Sequence, residues 1–145
     1  MGRTKSSSRP VSVYLLLVAL IFQGVSGLTG GVGLVADPSG AALGIPVEWL
    51  GGSPFDDYLI PGVILFVVLG VFPLVAAFGL WQRRRWSRRA ALLGGIALTI
   101  WIGVEILIIG YQPTPPLQLI YGLLGVIILG LVMLMRTGRY HRVSR

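Results

Sequence analysis

Four apolar runs follow one another along the chain, and nearly all polar residues fall in the gaps between them. The runs are Val11–Ala36, Leu59–Trp81, 90–110 and Leu117–Met135. A helix crosses a hydrocarbon layer of about 30 Å with about 20 apolar residues, so each run has spanning length. The first is dense over Val13–Phe22, and Gly24, Gly27, Gly30, Gly31 and Gly33 then dilute it. The pattern predicts an all-α fold: a four-helix transmembrane bundle in one membrane domain covering 1–145. A signal peptide cleaved near Val25-Ser26-Gly27 is the alternative for the first run. Its uncharged length favours an uncleaved span.

The gaps carry helix signals. Asp37-Pro38 reads as a cap followed by a first-turn proline, with Gly44 as a stop, which predicts a short interfacial helix. Trp49 suits the headgroup level. Ser53-Pro54-Phe55-Asp56 reads as a second helix start. Pro61 and Pro73 each remove a backbone donor from the second span, so bends are expected at both. The segment 111–116 is a proline-rich turn before the fourth span.

Charge fixes the expected orientation. All twelve Lys and Arg lie in three places: the first nine residues, the turn after the second span, and the tail after Met135. Of the five Asp and Glu, Asp37, Glu48, Asp56 and Asp57 share the 37–58 connection and Glu105 lies within a span. Basic residues mark cytoplasmic segments. Both termini are therefore expected inside, with 37–58 as the longer extracytoplasmic loop. Arg83, Arg84, Arg85, Arg88 and Arg89, flanked by Trp81 and Trp86, are expected to touch anionic lipid headgroups, at about 1 kcal/mol per basic residue. The net charge of +7 sits beside apolar runs, which points to the bilayer and away from nucleic acid as the partner. The first residues fit an acylation pattern, yet a chain that already spans gains little from an acyl anchor.

Composition agrees. The chain is 54% hydrophobic and 12% charged, against about 25% charged in a soluble domain. There is no cysteine, which excludes disulfides, thiol redox chemistry and thiolate metal sites. The single histidine, His141, lies in the tail, so neither a catalytic triad nor a zinc set can be assembled. The loop acids match no calcium-loop spacing and read as a solvated acidic loop. No metal or cofactor is expected.

Helix association in lipid needs close contact or polar links. Ala91, Gly95, Thr99 and Gly103 form a small-residue stripe on the third span, and Gly27 and Gly31 repeat the spacing on the first. Intramolecular packing is the reading, with a homodimer seam as the alternative. Glu105 is the one intramembrane ionisable residue, and such residues are functional candidates by default. It lies about 8 Å from Gly110 at ~1.5 Å per residue. At similar depth the layout places Gln118 and Tyr121 on the fourth span, Gln23 on the first, and Asp57 and Tyr58 at the start of the second. These six form a candidate polar cluster, either a proton or small-ligand site or an interhelical hydrogen-bond clasp.

The pattern Ser53-Pro54-Phe55-x-x-Tyr58-x-Ile60-Pro61-Gly62, then Trp101-Ile102-x-Val104-Glu105, then Leu117-Gln118-x-x-Tyr121-Gly122, is similar to one in small four-span bacterial integral membrane proteins without an assigned activity. The resemblance covers the chain from Ser53 through the fourth span. It implies a multi-pass protein of the bacterial cytoplasmic membrane and carries over no catalytic residue. In size the bundle also resembles the DoxX-like four-helix proteins, and the absence of cysteine argues against a quinone-linked thiol enzyme. The expectation is a non-enzymatic structural or partner-binding subunit, bound to a second copy or to another membrane protein. The alternative is a small transporter or proton-coupled carrier using Glu105.

The charge distribution makes a direct prediction. Reporter tags at either terminus read as cytoplasmic, and a tag after Gly44 reads as extracytoplasmic. A carboxyl terminus found outside overturns the layout.

Overall fold

The computed structural model describes residues 9–114 and 116–140, with the backbone alone for 136–140. Among the described residues there is no strand, and four helices are long and apolar enough to cross a membrane. The protein is an all-α, multi-pass membrane protein built as a four-helix bundle. We label the helices α1 (Val11–Ala36), α2 (Leu59–Trp81), α3 (Ser87–Ile109) and α4 (Leu117–Tyr140). The bundle has an acidic end, with the 37–58 connection, and a basic end, with the Arg83–Arg89 turn.

Large side chains are sorted as a lipid solvent requires. Leu16, Leu20, Leu69, Leu98, Ile128 and Val132 are buried among the helices, while Leu107 is 87% and Val18 67% exposed on the outside. Water would penalise such a surface; lipid tails do not. The main core occupies the middle and the basic half of the bundle, and a second cluster of Leu34, Leu50 and Tyr58 lies under the acidic connection.

α1 and α2 approach backbone to backbone. A Cβ on Gly27 would fall 2.1 Å from the Leu69 carbonyl oxygen, and one on Gly31 2.7 Å from the Phe66 backbone. Gly70 answers from the other side, 2.8 Å from the Leu28 nitrogen. Only glycine permits this spacing. The α3 stripe behaves differently along its length. Ala91 is fully buried. A Cβ on Gly95 would lie about 3.0 Å from the Ile128 and Leu129 side chains of α4. The Thr99 hydroxyl donates to the Gly95 carbonyl at 2.8 Å and occupies the space left by Gly125. A Cβ on Gly103 would meet nothing within 4 Å.

α2 carries the main irregularity. Leu59–Phe66 and Phe72–Trp81 are α-helical, and Val67–Val71 between them is a π-helical turn. Pro73 follows this turn and has no N–H to offer the Leu69 carbonyl one turn earlier. No break accompanies Pro61, contrary to expectation. It sits in the first turn of α2, where its N–H would have had no helical partner.

The helix boundaries correct several expectations. α2 starts at Leu59, and the Ser53 hydroxyl serves only a local turn, accepting from the Phe55 N–H at 3.2 Å. The Asp37–Gly44 helix is reduced to the single 3₁₀ turn Ala41–Leu43. Its N-cap is Gly40, not Asp37, whose carboxylate accepts from the Ser39 hydroxyl at 2.6 Å and from the Ala42 N–H at 2.9 Å. These bonds, the serine's first, hold its carboxyl below the ordinary carboxylate range. α3 begins at Ser87, so Arg88 and Arg89 lie in its first turn. α4 continues to Tyr140, beyond the predicted end of the span. The first eight residues and His141 lie outside the described residues.

The basic turn is closed by backbone bonds. The Arg84 N–H donates to Gly79 O at 2.8 Å and the Arg83 N–H to Leu80 O at 3.2 Å, with Arg83 left-handed at φ 58°. This is a Schellman closure with arginine where glycine is usual. The Arg9 guanidinium lies 4.6 Å over the Trp81 ring and also donates to the Trp81 carbonyl at the end of α2. Both contacts tie the start of α1 to the basic turn.

Two alanine substitutions check the packing. Gly27→Ala is expected to lose about 2 kcal/mol by overpacking against the Leu69 carbonyl. Gly103→Ala is expected to be neutral or to gain up to about 1 kcal/mol from helix propensity. Reversible unfolding in mixed micelles reads both, and equal effects at the two sites would refute the close α1–α2 contact.

Candidate functional site

The helices do not fill the acidic half of the bundle. The first part of α2 packs on α1, and α3 packs on α4. α3 meets α2 mainly through Phe72–Trp81, in the basic half. Toward the acidic end the space between α2 and α3 is left open. It forms a cavity of about 470 Å³, lined by all four helices and by Leu43, Ile45, Trp49 and Leu50 of the connection. Small-ligand sites are commonly of this size and kind: mostly apolar, with a few polar groups.

Five of the six residues expected to cluster line this cavity: Gln23, Tyr58, Glu105, Gln118 and Tyr121. Asp57 does not. It is exposed, and its carboxylate accepts from the Leu59 N–H at 2.9 Å, which occupies it at the start of α2.

Each of the five is held for a different reason. Gln23 is 3% exposed and donates from Nε2 to the Leu69 carbonyl at 3.1 Å. It thus supplies the donor that Pro73 lacks. Within a span a carbonyl left bare is costly, and a side chain from a neighbouring helix is one way to satisfy it. The bond fixes the amide, and its Oε1 is buried without a partner. Gln118 is also 3% exposed and organises the α3–α4 turn. Its Oε1 accepts from the Gln112 N–H at 2.8 Å and its Nε2 donates to Gly110 O at 3.1 Å. Tyr121 stacks on Phe22 with ring centroids 6.1 Å apart, joining α4 to α1. Tyr58, 6% exposed, donates its hydroxyl to Pro46 O at 2.8 Å and its N–H to Pro38 O at 2.8 Å, pinning the connection over the cavity. Burial, followed by the nearby Glu105 and Glu48 charges, raises its phenol above the ordinary range, so it stays a neutral donor.

Glu105 is the least satisfied of the set. Gln118 Nε2 approaches its Oε1 only to 3.5 Å, and Trp101, one turn earlier on α3, lines the same cavity. A carboxylate can accept about four hydrogen bonds. No lysine or arginine lines the cavity. Gln23 donates to Leu69, and among the described residues no hydrogen bond joins the Tyr121 hydroxyl to Glu105, so neither closes the expected clasp around Glu105.

The expected lipid-contact residues lie at the other end. Arg83, Arg84, Arg85 and Arg89 are exposed and Arg88 is partly buried. Among the described residues, no group of three His, Cys, Asp or Glu could hold a metal ion. Comparison with protein-family models, with curated proteins and with solved structures finds no match for the chain.

Sequence reasoning missed Trp101 and Trp49 as cavity walls and Gln112 as the partner of Gln118. The motif around Trp101 was visible, but nothing in it says that the indole borders empty space. The proline was the available signal for Gln23: a mid-span proline leaves a carbonyl to be served, and Gln23 is the amide at that depth.

That pairing is testable as a double-mutant cycle. Gln23→Leu is expected to cost about 1–2 kcal/mol, because it leaves the Leu69 carbonyl bare. With Pro73→Ala in place a backbone donor returns, and the cost is expected to fall by at least about half. Equal costs in both backgrounds would break the link between the glutamine and the proline.

Proposed function

We propose that the protein is a small, non-enzymatic carrier of a bacterial cytoplasmic membrane, with both termini inside, that takes a small amphiphilic molecule into the cavity through Glu105. One observation carries the reading. Glu105 lines a 470 Å³ cavity, and its one interhelical hydrogen bond is the long 3.5 Å contact from Gln118, which leaves acceptor capacity unfilled. An acid within a span costs a few kcal/mol on insertion scales, so it is retained for a use. The distribution of basic residues supports the orientation, and the four-span bacterial pattern around Ser53, Trp101 and Gln118 supports the membrane.

The same geometry weighs against a purely structural or partner-binding subunit. The small residues of α3 that make close contacts face α4, and only Gly103 has open space. Catalysis is not invoked, because no histidine, cysteine or lysine lines the cavity to act with Glu105.

A carrier presents its site to both sides of the membrane in turn. The chain has no native cysteine, so a single Ser26→Cys, at the cavity wall, reports access without a background. The expected result is labelling by a membrane-impermeant thiol reagent in right-side-out and in inverted vesicles. Labelling from neither side removes the carrier. Labelling from the extracytoplasmic side alone replaces it with a static binding protein.

A further inference from the structure

The chemistry around the cavity selects among ligand classes. Its amide donors are largely spent: Gln118 Nε2 on Gly110 O and Gln23 Nε2 on Leu69 O. The other donors on the wall, the Ser26, Thr114 and Tyr121 hydroxyls and the Trp49 and Trp101 indoles, are neutral, so the one group there that carries charge is an acceptor. Glu105 has lone pairs unfilled, and the Gln23 Oε1 is buried without a donor beneath the same floor. The connection over the cavity carries Asp37, Glu48, Asp56 and Asp57 and no basic residue. Its field attracts cations and repels anions.

Aromatic faces add to this preference. Trp49, Tyr58, Trp101 and Tyr121 all border the space, and such faces attract ammonium groups. Most of the remaining wall is leucine and isoleucine, which suits an apolar body and leaves a polyol's hydroxyls unpaired. A bare metal ion would need several oxygen ligands, and Glu105 is the only carboxylate on the wall. A cation that brings its own hydrophobic body meets all of these conditions. Its charge answers a carboxyl that has no basic partner in the cavity, and its N–H groups fill acceptors that the protein leaves open.

We propose that the cavity takes a small lipophilic amine, with the ammonium against Glu105 and the apolar body between α2 and α3. The assignment rests on the cavity being a ligand site and adds the charge and shape of the ligand.

A set of phenyl compounds of similar size separates the two ideas. The intact protein in nanodiscs is titrated calorimetrically, with empty nanodiscs subtracted, using 2-phenylethylamine, 2-phenylethanol and 3-phenylpropionate. The amine is expected to bind at least about tenfold tighter than the alcohol, with no saturable binding of the carboxylate. Glu105→Gln, which keeps hydrogen-bonding capacity but carries no charge, is expected to bring the amine to the alcohol's affinity. Equal binding of amine and alcohol to the parent chain overturns the amine assignment and leaves a ligand site standing. So does an amine preference that survives Glu105→Gln. Binding of none of the three overturns the assignment and the ligand-site reading together. The parent-chain series decides the charge question by itself if the variant does not fold.

Discussion

The backbone contact between α1 and α2 sets the terms for the rest of the molecule. Gly27 brings α1 so close to the Leu69 carbonyl that no side chain fits between them. The same carbonyl is the one Pro73 cannot serve, and leaving it without a donor inside a span is costly. Gln23, one turn before Gly27 on α1, supplies it. Close approach and polar satisfaction therefore come as one unit: the glycine permits the distance and the glutamine relieves its consequence. The π turn at Val67–Val71 is the backbone form of that arrangement, since the irregularity occurs where an α-helical bond is missing.

This contact also explains why the two halves of the bundle differ. Beyond the π turn, Phe72–Trp81 meets both α1 and α3, and the basic half closes into a packed core capped by the Schellman turn and by Arg9 on Trp81. Before the turn, Leu59–Phe66 stays with α1 while α3 stays with α4. The gap is bridged by the 37–58 connection, which Tyr58 pins through Pro38 and Pro46. The cavity thus arises from the bundle's own packing. It holds the spanning acid because Glu105 lies on the part of α3 that has left α2.

The basic turn sets its charges and backbone against local preference. Arg88 and Arg89 occupy the first turn of α3, where cations oppose the helix dipole. Arg83 adopts a left-handed conformation that costs an ordinary residue on the order of 1 kcal/mol. Glycine at 83 and acids at 88 and 89 would suit the local structure better. In the orientation proposed above, the five arginines mark this turn as the cytoplasmic one.

The span count and the all-α class were legible in the sequence because lipid imposes one rule everywhere, about 20 apolar residues per crossing. The depth of Glu105, Gln118, Tyr121, Gln23 and Tyr58 was legible for the same reason, since rise per residue is fixed in a helix. Rotation about each helix axis was not. Depth alone grouped Asp57 with the others, whereas the actual chain uses it to start α2. Depth also proposed that Gln23 serves Glu105, whereas the tertiary structure gives its amide to Leu69 and stacks the Tyr121 ring on Phe22. Hydropathy and spacing set how far along the membrane normal a residue sits. Only the packing of backbones at Gly27 and the parting of α2 from α3 decided which side chains touch and which line empty space.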